Sequence, residues 1–183
     1  MSDEHKLGEV GTEIAPEIVP DPDVAAKVDV LLRQACHLAR CLTGAEQSAM
    51  AVHATAADAP RKYFSLSAAY APWRDYAPDP HGLGLHGLEL PPGEVVRLTQ
   101  DEVEAHPAWR NFGDQATVHP PMRGWLATAV CGDGDYRYGL LQLSDKGGGA
   151  DFTEEDGLRI RELADLIGAA LDALRLSHER AAA

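Results

Sequence analysis

From Val24 to Leu42 the apolar residues Val24, Val28, Leu31, Leu32, Ala35, Leu38 and Leu42 recur at steps of three and four. That spacing gathers them on one face of an amphipathic helix, and Gly44 supplies its stop. The period then shortens. Residues 48–55 (SAMAVHAT) and 62–68 (KYFSLSA) predict two strands, and ADAPR between them is the turn of a hairpin. Residues 94–98 (EVVRL) predict a third strand. Thr99 follows as a helix cap, with Glu102 three residues on to complete a capping box. Pro107 interrupts that helix, and AWRNF forms a short turn running to Gly113. Trp125–Cys131 and Tyr136–Ser144 are the central strands, joined through GDGD. Thr153 caps the last helix, with Asp156 as its reciprocal partner, and Ile160, Leu163, Ile167, Leu171 and Leu174 keep helical spacing through it.

Residues 71–93 break the pattern. Pro72, Pro78, Pro80, Pro91 and Pro92 alternate there with Gly82, Gly84, Gly87 and Gly93, which excludes a long regular element. Loops of that length are usually lids or insertions. The order helix, two strands, long loop, strand, short helices, two strands, helix predicts an α+β fold. Its centre is a five- or six-stranded antiparallel sheet with the N- and C-terminal helices packed on one face. The length of 183 residues suits one domain. We expect that domain over 23–177, with 1–22 a disordered acidic arm and 178–183 a flexible tail. In the arm, acids and the prolines Pro16, Pro20 and Pro22 crowd out apolar residues.

Composition adds exclusions. Hydrophobic content of 45% and charged content of 25% are ordinary for a globular chain. A net charge of −13 repels polyanions, so nucleic acid and anionic membranes are not expected partners. There is no apolar run long enough to span a bilayer and no secretory h-region, so a cytoplasmic location is expected. Cys36, Cys41 and Cys131 form no CxxC and behave by default as small hydrophobes.

The segment from 99 to 125 concentrates candidate chemistry: Trp109, Phe112, His119, Met122, Arg123 and Trp125, with His106 nearby. Aromatic bodies carrying a few polar heads are what a small-molecule pocket needs. The same residues also serve to close a core over a sheet, and both readings stand at this point. His119 precedes Pro120-Pro121, which holds its backbone extended. It is either a structural histidine capping a loop carbonyl or, beside an apolar cavity, an axial haem ligand. Gln142 alternates with Tyr138, Leu140 and Ser144 on one strand face. An amide among apolar neighbours needs partners, whether a bound ligand or a neighbouring hydroxyl such as Thr128. His81 and His86 have no accompanying acids or cysteines, so no native metal site is expected. GxSxG, P-loop and HExxH motifs are absent, and no catalytic residues or enzymatic activity are expected.

The wording HPPMRGW, then YGLLQLSDK, then DFTEEDG before a long helix resembles GAF domains, the modules with which bacterial signalling proteins hold small molecules and dimerise. The resemblance extends over residues 24–177 as an order of elements and is specific over 119–176. It implies helices behind the sheet and a ligand pocket in front, under the irregular middle segment. The same stretches are similar to the haem-binding GAF domains of mycobacterial sensor histidine kinases. There the histidine of HPPMR is the proximal haem ligand, matching His119, and the distal tyrosine falls on Gln142, a departure that removes the distal partner. Free-methionine sulfoxide reductases and bilin-carrying GAF domains need cysteine patterns that Cys36, Cys41 and Cys131 do not match.

The expected function is therefore a small-molecule-binding sensory module in signal transduction, of two-component type, lacking an effector of its own and acting on a kinase or other effector in trans. A homodimer through the terminal helices is expected, with Ile160, Leu163, Ile167 and Leu174 approximating a seam. No cofactor is assigned. Two alternatives are a haem-based gas or redox sensor using His119 and a ligand-free dimerisation domain.

Overall fold

A computed structural model of the chain describes residues 22–52, 61–74, 84–109 and 122–182. Pro22 opens the first helix, α1 (Pro22–Thr43), where a missing N–H is harmless. Gly44 ends it at φ +70°, a conformation glycine adopts without a Cβ penalty. The chain turns at once into β1 (Ala45–Val52), which is why that strand begins three residues ahead of the expected Ser48. The hairpin partner is β2 (Arg61–Leu66). After the Pro/Gly-rich stretch come β3 (Val95–Thr99) and α2 (Gln100–Ala105). The Thr99–Glu102 capping box is complete: Thr99 donates its backbone N–H to Glu102 at 2.8 Å, and Glu102 returns its own N–H to the Thr99 hydroxyl.

The remaining elements are β4 (Gly124–Cys131), β5 (Arg137–Lys146) and α3 (Glu154–Ala182). Thr153 and Asp156 cap α3 reciprocally, at 2.8 Å from the Thr153 N–H and 3.1 Å from the Asp156 N–H. The helix is helical through the segment expected to be an irregular tail. Ser177 keeps a bond to the Ala173 carbonyl at 2.7 Å, and the ending HERAAA contains no helix breaker.

The strands form one five-stranded antiparallel sheet in the order β2-β1-β5-β4-β3. Helices α1 and α3 pack on one face, here called the back. Leu126 and Val130 of β4, Leu141 and Leu143 of β5 and Met50 of β1 meet Leu32, Cys36, Ile160, Ile167 and Leu171 of the helices there, all essentially excluded from water. Burial of this kind contributes about 1.5–3 kcal/mol per large aliphatic side chain. Ile160, Leu163 and Ile167, expected as part of a dimer seam, are thus committed to the chain's own core. The apolar residues left outside on the two helices include Val30, Leu38, Leu42, Leu158 and Leu166.

One strand face differs from expectation. Strict alternation puts Tyr138 beside Leu140 and Gln142. In the structure a β-bulge intervenes: Val130 pairs with Gly139, but Cys131 pairs with Arg137, so Tyr138 is an extra residue on β5. Its ring turns to the back. There its hydroxyl donates to Asp172 of α3 at 2.5 Å, and the other oxygen of Asp172 accepts the Asp133 N–H at 2.7 Å. The bulge reverses the side-chain parity, so a tyrosine predicted for the front becomes a strut to a helix.

Candidate functional site

The opposite face, the front, carries Trp125, Ala127, Ala129 and Cys131 from β4 and Leu140, Gln142 and Ser144 from β5. Pairing extends one row across all five strands: Phe64, Ala49, Gln142, Ala127 and Val96. Ala49 and Ala127 flank Gln142 at its centre. Among the described residues no long helix covers it. Val103 of α2, Leu85, Leu88 and Leu90, and Trp109 and Met122 pack against it.

Gln142 is 7% exposed in this layer, and its amide oxygen accepts the indole N–H of Trp125 at 3.1 Å. The pair satisfies the one polar atom that a fully buried tryptophan must place. Thr128, the hydroxyl weighed as a partner for Gln142, lies on the other face and donates to the Glu94 carbonyl at 2.8 Å. The structure therefore brings Trp109, Met122, Trp125 and Gln142 together on the front. Phe112 and His119 lie outside the described residues. Arg123 is exposed; its backbone N–H is anchored by Asp145, and its side chain faces the Tyr70–Asp145 pair. His106 acts structurally, since its ring accepts the Ala108 N–H at 3.1 Å just after α2.

Sequence reasoning missed Asp145, which organises the entry to β4. It is 5% exposed, holds φ +56°, and accepts the N–H groups of Arg123 and Gly124, the latter at 3.2 Å, together with the Tyr70 hydroxyl. Burial pushes the Asp145 carboxyl above the usual range, against the pull of those hydrogen bonds and of the nearby Arg123 charge. Burial likewise drives the Tyr70 hydroxyl well up, reinforced by the Asp145 carboxylate. Tyr70 therefore stays a neutral donor, and it latches the segment after β2 to the end of β5. The signal was present in SDKGGG: an aspartate entering a glycine cluster is a residue type that tolerates a left-handed backbone.

At the far end of the front face, about 20 Å from Trp125 along β4, a cavity of about 360 Å³ opens among Glu89, Leu90, Pro91, Pro92, Cys131 and Arg137. Arg137 reaches across it and donates to the Leu88 carbonyl at 2.9 Å. Of its lining, the sequence singled out Pro91 and Pro92 only as part of the 71–93 stretch, and Cys131 only to set it aside.

No family model matches the chain. Solved structures do. The blue-light absorbing form of the Thermosynechococcus elongatus PixJ GAF domain aligns at a TM-score of 0.64 and 15% identity, over 90% of this chain and 96% of that one. The photoproduct state of GAF3 from Synechocystis Slr1393 gives a TM-score of 0.62 and 15% identity, over 83% and 98%. A GAF domain/HD domain protein of Geobacter sulfurreducens gives 0.55 and 18%, over 81% and 95%. At such identities the likeness speaks to architecture. The five-stranded antiparallel sheet backed by terminal helices is the GAF fold. No helix among the described residues is long and apolar enough to cross a membrane.

Proposed function

We propose, with the GAF fold as premise, that this chain is a sensory module: it binds a small molecule on the front of its sheet and has no catalytic activity of its own. The observation that carries this reading is the asymmetry of the sheet. The back is closed by two long helices, whereas the front is covered, among the described residues, by short segments over a floor of alanines, Leu140 and one buried amide–indole pair. A mostly apolar recess with few polar groups is the usual build of a ligand site. The light-absorbing GAF domains that the fold resembles support a sensory reading. Trp109, Met122, Trp125 and Gln142 form the site in this proposal, with Arg123 at its edge and Phe112 and His119 assigned from sequence context. Signalling passes to a kinase or another effector in trans.

Native mass spectrometry on the chain purified from cells, beside its visible absorption spectrum, tests this. The expected result is a retained small-molecule mass that Gln142→Leu loses while the variant still unfolds in one cooperative thermal transition. A Soret band lost in His119→Ala would redirect the reading to haem. A bare mass, together with no change in tryptophan fluorescence on adding haem, cyclic nucleotides or amino acids, would sink it. Self-association through the outer surfaces of α1 and α3 belongs to the same reading. Leu166, 69% exposed on α3, is the position to change: Leu166→Glu is expected to shift a dimer toward monomer in sedimentation velocity, and an unchanged sedimentation coefficient counts against a helix-mediated dimer.

A further inference from the structure

The cavity at the far end of the front face holds two opposite charges that do not meet. Glu89 and Arg137 both line it, yet they form no ion pair with each other or with any other described residue. Among the described residues, the Arg137 side chain donates one hydrogen bond, to the Leu88 carbonyl, out of the five N–H donors a guanidinium carries. That bond fixes the arginine head against the 84–90 segment and leaves donors for a second acceptor. Glu89 is exposed at the rim, an acceptor with no described cation beside it. The rest of the lining is apolar: Leu90, Pro91, Pro92 and the half-buried Cys131.

We propose that this cavity is a binding site for a small apolar zwitterion of the α-amino-acid type. Its carboxylate takes the free donors of Arg137, its ammonium faces Glu89, and its hydrocarbon side chain lies on Leu90, Pro91 and Pro92. Arginine suits the first contact because its planar fork matches a carboxylate. A volume of about 360 Å³ stands at the small end of ligand pockets, which suits a single amino acid. A singly charged ligand leaves either Arg137 or Glu89 unanswered, so selectivity for the zwitterion follows from the pair. The site shares Leu90 and Cys131 with the apolar layer of the front but lies about 20 Å from Trp125 along β4, and its test reads residue 131 rather than the Trp125–Gln142 pair.

Cys131 serves as the reporter. In a Cys41→Ser background, with Cys36 buried, the rate of N-ethylmaleimide alkylation at residue 131 is followed by mass spectrometry while L-leucine, L-methionine or L-phenylalanine is added. 4-Methylpentanoate and isoamylamine supply the single charges. At least one amino acid is expected to slow alkylation saturably, with both singly charged analogues weaker by about tenfold or more, the factor that goes with one charge-assisted hydrogen bond. Arg137→Gln and Glu89→Gln are each expected to raise the protection midpoint by about tenfold. Glu89→Gln is the safer variant, because Glu89 is exposed and makes no hydrogen bond or ion pair among the described residues. Alkylation unaffected by all three amino acids overturns the proposal. So does equal protection by the singly charged analogues, or a midpoint unmoved in Glu89→Gln. Loss of the floor ligand in Gln142→Leu with leucine protection of Cys131 intact would show the two sites to be separate.

Discussion

The two faces of one sheet obey different rules. On the back, residues alternate inward from β4 and β5 into a closed layer against α1 and α3, and polar groups there are tied to partners at fixed distances. On the front, the same strands present alanines, one amide and one indole to a roof without a long helix among the described residues. The back specifies the fold by packing against long helices, and the front is covered, among the described residues, by α2 and the 84–90 segment. A sheet can hold both because its side chains point alternately to two faces.

Substitutions sharpen this contrast, and the largest effect belongs to the back. Gly168 of α3 lies so close to β4 that a Cβ would fall 1.8 Å from the Cys131 carbonyl oxygen. Gly168→Val is expected to abolish a cooperative thermal transition in circular dichroism, and a normal melt would mean that α3 packs differently. Next comes Tyr138→Phe, which leaves Asp172 its Asp133 N–H but removes the phenol donor. A loss of about 1–3 kcal/mol is expected in urea unfolding, and no loss would mean that the strut carries no stability.

Two carboxylates carry opposite pH signatures. Burial works against the charge on Asp156, but Lys146 and the Thr153 cap outweigh it and hold its carboxyl below the usual range. Its stabilisation is complete above the ordinary carboxylate range and is lost as pH falls through the depressed value. Asp145 is raised by burial, so its ionisation costs stability as pH climbs from the ordinary range through the raised value. Denaturation midpoints measured between about pH 7 and pH 3 should show Asp156→Asn with a shallower acid limb. Asp145→Asn should show less relative loss at neutral pH than in acid. Identical profiles for the two variants would contradict both assignments. On the front, Gln142→Leu is expected to cost about 1–3 kcal/mol in urea unfolding, because the buried Trp125 N–H is left without its acceptor. No loss would mean that the amide–indole bond carries no stability.

Local signals in the sequence accounted for most of the elements. Both capping boxes, Thr99–Glu102 and Thr153–Asp156, were legible because cap and partner lie three residues apart. The apolar stripe of α3 was legible too, but not what it faces, since a periodic stripe looks the same against a sheet or a second chain. Tyr138 was assigned to the wrong face because a bulge is stabilised by a partner 34 residues away, invisible to alternation. Asp145 depends on Tyr70, 75 residues away. The floor residues Trp125 and Gln142 were legible as amphipathic types on strands, while the Glu89–Arg137 cavity joins two distant segments and left no local trace. Gly168 did leave one: a glycine in a helix interior costs about 1 kcal/mol relative to alanine, which asks for a packing reason.

The contact at Gly168 behaves as a hinge pin with no play. Main chain meets main chain there, so nothing flexible lies between strand and helix to soak up motion. The strand end at that point is also the wall of the Cys131–Arg137 cavity and the anchor of the Tyr138 strut. Any rearrangement of that wall is passed on in full to the helix or does not occur. Beyond the Asp172 anchor, about 15 Å of α3 runs on to Ala182, so a tilt set at the strand is displayed at the helix tip.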